Sequence, residues 1–272
     1  FASFAMTSRL SPHLDITPIF VSNDWRSVEF KASDGVRLRG WFFEGTSDKV
    51  VIMVGGLLAN RTNTEYMGPV IAKELLAKGY NVLLYDTRAH GKSDGDRVGF
   101  GSVEGNDIIG AVKFLNEQSF ISKNIGIIAD STGATSTLMV IDDLKEVGAI
   151  ILDSPAAAFQ PIISNRLSIE KQIPIFFHPT IFFFNKLFFG VDLSIIKPID
   201  KISLDPNRKL LFLHGKLDET IPVANSEKLL DKANKQSKLV VFDEGGHIET
   251  YKSNPELYRK EVFQFLETEL GR

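Results

Sequence analysis

The sequence predicts an α/β chain: one doubly wound, mostly parallel sheet with a helical insertion in its second half. Two observations carry this. Short, continuous apolar runs recur at Lys49–Val54, Asn81–Tyr85, Ile125–Ala129, Ala149–Leu152 and Lys209–Leu213, the pattern of strands buried on both faces. Between them lie segments with apolar residues at helical spacing, and strand–helix alternation of this kind builds a parallel sheet covered by helices. A chain of 272 residues suits one large unit of this class.

Taken in order, residues 1–24 contain Pro12 and Pro18 and show no clean period; they are expected to form an N-terminal arm. Arg26–Ala32 and Val36–Glu44 read as two strands joined by the turn Ser33-Asp34-Gly35, an antiparallel start at one edge of the sheet. The first buried strand runs into Gly55-Gly56-Leu57, where paired glycines let the backbone approach a ligand. Met67–Lys78 has a helical stripe of Val70, Ile71, Leu75 and Leu76, stopped by Gly79. The next strand ends in Asp86-Thr87-Arg88-Ala89-His90-Gly91, and Val103–Gln118 reads as a helix with Ile108, Ile109, Val112 and Leu115 on one side. After the strand Ile125–Ala129 a helix is expected over Thr135–Asp142. The strand Ala149–Leu152 follows, ending at Asp153-Ser154-Pro155.

The alternation stops over residues 156–197. That stretch is rich in phenylalanine and broken by Pro161, Pro174 and Pro179, and it is too long for an ordinary connection. It reads as a helical lid over the strand ends, with Phe176, Phe177, His178 and Phe183 as candidates for an apolar pocket. Packing against the body is the competing role for the same aromatics. The core, residues 25–155, resumes at 198–272 with Lys209–Leu213, a helix over Pro222–Asn234, the strand Lys238–Phe242 and a final helix Pro255–Leu270.

Composition narrows the chemistry. The formal net charge of −3 offers no global case for nucleic acid or an anionic membrane. Cysteine is absent, which excludes disulfides, thiolate metal sites and a cysteine nucleophile. The five histidines are scattered, with no HExxH pair, so neither metal nor cofactor is expected. No run of 18 apolar residues is present. The start at Phe1 leaves two expected locations: the cytoplasm, or a membrane reached through an anchor upstream.

The stretch Ala129-Asp130-Ser131-Thr132-Gly133 sits between a buried strand and a helix-like segment. Small residues two before and two after the serine suit a tight turn that lifts the hydroxyl above the sheet edge. The competing role is a helix N-cap. A serine nucleophile needs a base, and the base needs an orienting group. His247 follows the last strand in Gly245-Gly246-His247, and Asp218 follows the strand before it, so Ser131, Asp218 and His247 each come just after a strand, in that order.

These pieces, together with Gly55-Gly56-Leu57, Asp86-x-Arg88-x-His90-Gly91, Asp153-Ser154-Pro155 and His214-Gly215-x-x-Asp218, resemble the α/β-hydrolases of the serine type, most closely the bacterial group with prolyl-oligopeptidase-like and BAAT-like members. The resemblance spans Val28–Leu270. It implies Ser131 as nucleophile, His247 as base, Asp218 as orienting acid, and backbone N–H groups of Leu57 and Thr132 as the oxyanion hole. The implied activity is cleavage of a small-molecule carboxylic ester through an acyl-enzyme. A peptidase or amidase, acyl transfer to another acceptor, and a non-catalytic binding module on the same fold remain open beside it. Two departures stand out: Gly55-Gly56 replaces the His-Gly of many relatives, and Ala129 replaces the usual glycine. Asp153 is the rival acid. Asp130 is expected to face solvent or bond within the sheet, with raising the pKa of a nearby imidazole as its competing role; His90 is expected to serve loop structure, and His214 to be a satisfied core histidine.

Overall fold

A computed structural model of the chain describes residues 14–62, 67–169, 171–204 and 206–271. Its centre is an eight-stranded sheet of order β1-β2-β4-β3-β5-β6-β7-β8. The strands are β1 (Trp25–Lys31), β2 (Arg37–Phe43), β3 (Val50–Val54), β4 (Asn81–Asp86), β5 (Ile125–Asp130), β6 (Ala149–Asp153), β7 (Leu211–Gly215) and β8 (Lys238–Phe242). β1 and β2 form the antiparallel hairpin at one edge, β2 joins β4 antiparallel, and every other pairing is parallel.

The helices are α1 (Gly68–Ala77), α2 (Gly105–Glu117), α3 (Ser131–Met139), α4 (Phe159–Ile169), α5 (His178–Phe189), α6 (Pro198–Lys201), α7 (Ala224–Lys232), α8 (Thr250–Ser253) and α9 (Pro255–Glu269). Period-two alternation sorts the strand side chains between two cores. Val50, Ile52 and Val54 of β3 pack with Ile108, Leu115, Leu138 and Leu229 of α2, α3 and α7. Val51 and Met53 pack on the other face with Ile71 and Leu75 of α1 and with Val262 and Leu266 of α9. This is why the central strands read as unbroken apolar runs: both faces are covered.

Four helix starts differ from the sequence expectation: α1 begins one residue later and α2 two residues later, at Gly68 and Gly105. α3 begins at Ser131 rather than Thr135 and ends at Met139. Ser131 takes a left-handed φ of +47°, a sharp turn that brings the chain from strand to helix within one residue. α7 begins at Ala224, leaving Pro222 before the helix. Of the proposed arm, residues 1–13 lie outside the described residues. The following part has a 3₁₀ turn at Pro18–Phe20, and Asp15 N–H donates to Thr62 Oγ1.

The stretch after β6 is helical, with α4, α5 and α6 separated by 3₁₀ turns. It packs on the body through a third apolar cluster, in which its own Phe159, Ile163 and Leu193 are buried with Phe100 and Ile221, and Leu57 and Phe182 pack against them. α5 is inverted: His178 and Asn185 are buried, while Phe183, Phe184, Leu187 and Phe188 are 46–63% exposed. The exposed positions recur at i, i+1, i+4 and i+5, one face of a helix. Among the described residues, no helix is long and apolar enough to cross a membrane.

Candidate active site

β3 lies between β4 and β5, so strand order reverses there. In open α/β sheets ligands bind in the crevice at such a reversal, outside the carboxyl ends of the strands. The loop after β3 and the turn after β5 meet at this point. A Cβ on Gly133 would lie 2.6 Å from Val54 O and 2.8 Å from Gly55 O, so only glycine lets α3 start this close to the end of β3. Ala129, in place of the usual glycine, is buried and pairs normally with Val54 and Leu152.

Ser131 Oγ lies 2.8 Å from His247 Nε2, and His247 Nδ1 lies 2.7 Å from Asp218 Oδ2. The carboxylate is an acceptor, so Nδ1 carries the proton and Nε2 is free to accept the serine hydroxyl proton. Asp218 Oδ1 accepts from the N–H groups of Thr220 and Ile221 at 2.9 and 2.8 Å. Burial works against its charge, but hydrogen bonds from His214, His247 and Ile221 outweigh it and hold the carboxyl well below the usual range. His214 is fully buried; its Nε2–H is shared between Ile221 O at 2.7 Å and Asp218 Oδ2 at 3.4 Å, and its Nδ1 accepts from Ser226 Oγ at 2.7 Å.

Gly56 packs directly on the turn: a Cβ there would lie 2.8 Å from Ser131 Cβ. Leu57 and Thr132 border one small cavity beside it, and among the described residues the Leu57 N–H has no acceptor. His90 lies on the same cavity, with its Nδ1 held against Thr87 Oγ1 and Arg88 O. The rest of its motif ties loops: Asp86 pairs with buried Arg61, and Arg88 bridges Asp34 and Asp107.

Asp130 departs from both roles expected of it. Its Oδ1 accepts the Gly56 N–H at 2.5 Å, across to the neighbouring loop. Asp153, its partner on β6, makes no hydrogen bond to His247; it accepts from Thr250 Oγ1 and, at 3.0 Å, from Ser154 Oγ. Burial first, then the charge of Asp153, pushes Asp130 up to about 7. Burial pushes Asp153 up to about 6 against its hydroxyl donors.

These shifts have a sign. Both carboxyls bind protons more tightly folded than unfolded, so their contribution to stability is full below about pH 3.8 and is lost as pH rises through 6 to 7. Asp130→Asn is therefore expected to be more stable than the parent at pH 8, by roughly 2–4 kcal/mol for a rise of about three units, and equal to it near pH 4. Urea unfolding at the two pH values measures this; an equal difference at both refutes it.

None of the four pocket candidates borders the cavity beside Leu57 and Thr132; His178 and Phe183 border a separate groove with Phe182. Phe176, Phe177 and Phe183 are 70%, 49% and 61% exposed. His178 is buried with both nitrogens engaged: Nδ1 is 2.6 Å from Ser164 Oγ, and Nε2 is 3.1 Å from Ile173 O. Sequence reasoning missed Phe100 and, within the insertion, Phe159 and Ile163. It also missed the Asp130–Gly56 bond, whose partners are 74 positions apart; no local signal announces either.

Sheet order, sharp turn and Ser–His–Asp arrangement together are those of an α/β-hydrolase. The chain belongs to the serine aminopeptidase S33 family of hydrolases, whose sequence model matches residues 45–189. It is 34% identical over 195 residues to the uncharacterized protein YqkD of Bacillus subtilis (strain 168), covering 70% of this chain and 63% of that one. It is 27% identical to the uncharacterized protein YfhR of Escherichia coli (strain K12), covering 91% and 83%. Among solved structures, the esterase Pf2001 of Pyrococcus furiosus superposes with a TM-score of 0.81 at 28% identity, covering 98% of this chain and 99% of that one.

Proposed function

We propose that this hydrolase cleaves carboxylic esters through an acyl-enzyme on Ser131. The observation that carries this reading is the unbroken relay Ser131 Oγ–His247 Nε2, 2.8 Å, and His247 Nδ1–Asp218 Oδ2, 2.7 Å, at the strand-order reversal. The similarity to an esterase structure favours an ester over an amide.

In the proposed sequence Ser131 Oγ bonds to the ester carbonyl carbon while its proton passes to His247 Nε2. Asp218 holds the ring in this tautomer and stabilises the imidazolium. The carbonyl oxygen, now an oxyanion, accepts from the N–H groups of Thr132 and Leu57; losing one such donor typically costs roughly 3–4 kcal/mol of barrier. Collapse breaks the carbon–oxygen bond to the alcohol, which leaves with the proton from His247. Water then attacks the acyl-enzyme, gives its proton to His247, and the carboxylic acid departs as Ser131 recovers its proton. Residues 156–197 act as a lid over the core formed by 25–155 and 198–272, with 1–24 as the arm. The acyl group lies against the cluster of Phe100, Phe159, Ile163 and Phe182.

A fluorophosphonate probe followed by peptide mapping, run beside nitrophenyl esters from acetate to decanoate, tests the reading. Label on Ser131 and turnover falling off toward decanoate are expected. Label without ester turnover, together with cleavage of aminoacyl nitroanilides, moves the reaction to the amide chemistry of an aminopeptidase. A folded protein that neither labels nor turns over is a binding module.

A further inference from the structure

Two carboxyls that take no part in the proposed reaction, Asp153 buried and Asp130 half-buried, lie at the base of the site. Asp130 and Asp153 are the last residues of β5 and β6 and stand opposite each other in the sheet. Each bonds to a different loop. Asp130 Oδ1 takes the Gly56 N–H at 2.5 Å, one residue before Leu57. Asp153 takes Thr250 Oγ1 and Ser154 Oγ, and Ser154 Oγ in turn accepts the Ile248 N–H at 3.4 Å, one residue after His247. The segments so held are bent: Ser154 and Ile248, like Ser131 itself, have left-handed φ values of +51° and +53°. Left-handed backbone at residues bearing a Cβ persists only where surrounding bonds over-determine it.

We propose that Asp130 and Asp153 are a pair of positioning residues, holding the Leu57 loop and the His247 loop in register with Ser131. The assignment rests on the ester-cleavage reading above and deepens it. Neither carboxyl touches the reacting atoms. Their effect passes through Gly56 to the oxyanion donor, and through Ser154 and Thr250 to the base. The groups facing the pair include His247, His214 and Tyr258, and a cavity of about 50 Å³ behind it is bordered by Tyr251, Tyr258 and Ile248.

Three variants test it: Asp130→Ala removes the acceptor, Asp130→Asn restores an oxygen at the same place, and Thr250→Val removes one donor to Asp153 with little change of shape. Loss of registration by about an ångström costs on the order of a hundredfold. Asp130→Ala is expected to lower kcat by about tenfold to a hundredfold with KM within about twofold. The Ki of phenylboronic acid, whose tetrahedral adduct fills the oxyanion site, is expected to rise by the same factor. Asp130→Asn is expected to regain most of both, and Thr250→Val to lower kcat several-fold at unchanged KM. Wild-type kcat and boronate Ki in Asp130→Ala, or no recovery in Asp130→Asn, overturns the proposal. If Asp130→Ala does not fold, wild-type kcat in Thr250→Val overturns it alone. Amide hydrogen exchange across Gly55–Leu57 reads the loop whatever the substrate: protection lost or regained with the acceptor supports the pair even if no ester turns over, and in that case it is the ester reading that falls. Protection unchanged in Asp130→Ala, with kcat unchanged in both Asp130→Ala and Thr250→Val, removes the pair.

Discussion

Replacing Ser131 by alanine is expected to lower ester kcat/KM by about a thousandfold or more and to leave the fold intact. The structural cost is small because alanine carries the same Cβ into the left-handed backbone that serine occupies at φ +47°. Among the described residues the hydroxyl is bonded to His247 Nε2 alone, so its removal strips none of the others of a partner. What survives is binding and the backbone N–H groups, which account for residual catalysis in enzymes of this kind. Stopped-flow or steady-state hydrolysis of nitrophenyl butyrate, beside matched thermal melts, measures it. Equal rates in two equally folded proteins place the nucleophile elsewhere.

Asp218→Asn is expected to be as severe, about ten-thousandfold in kcat, for a reason the hydrogen bonds make explicit. Oδ1 receives two backbone N–H groups, from Thr220 and Ile221, so the asparagine oxygen must take that position. Its amide nitrogen then occupies the place of Oδ2 and donates toward His247 Nδ1. The ring is driven into the tautomer with the proton on Nε2, facing Ser131, where it no longer accepts. The expected result is a folded protein whose kcat collapses while KM holds, with the His247 proton on Nε2 by nitrogen NMR. Activity within tenfold of the parent would dismiss Asp218 as the orienting acid. Asp153, which is bonded to Thr250 and Ser154 rather than to the imidazole, offers no equivalent tautomer lock.

The sheet was legible because burial on both faces imposes continuous apolar runs; all five central runs are strands within two residues of their expected ends. The order of Ser131, Asp218 and His247 was legible because each follows a strand, and parallel strands deliver their carboxyl ends to one side. Helix α5 was not. Residues 181–189 are apolar on nearly every side, and periodicity finds no inner face where both faces are apolar. The contacts of His178, Phe182 and Asn185 decide which way the helix turns, and they turn it with Phe183, Phe184 and Phe188 outward. Asp130 was singled out beside the serine, but its partner lies across the reversal of strand order, a relation that no local spacing encodes.

The outward face of α5 bears on how the molecule behaves in solution. Phe183, Phe184, Leu187 and Phe188 stand exposed along it, with Phe184 and Phe188 stacked at 5.6 Å, and the formal net charge is only −3. Little long-range repulsion offsets so large an apolar face. Colloidal stability therefore rests on a few charges: mild acid, which removes them, and high salt, which screens them, are both expected to lower solubility.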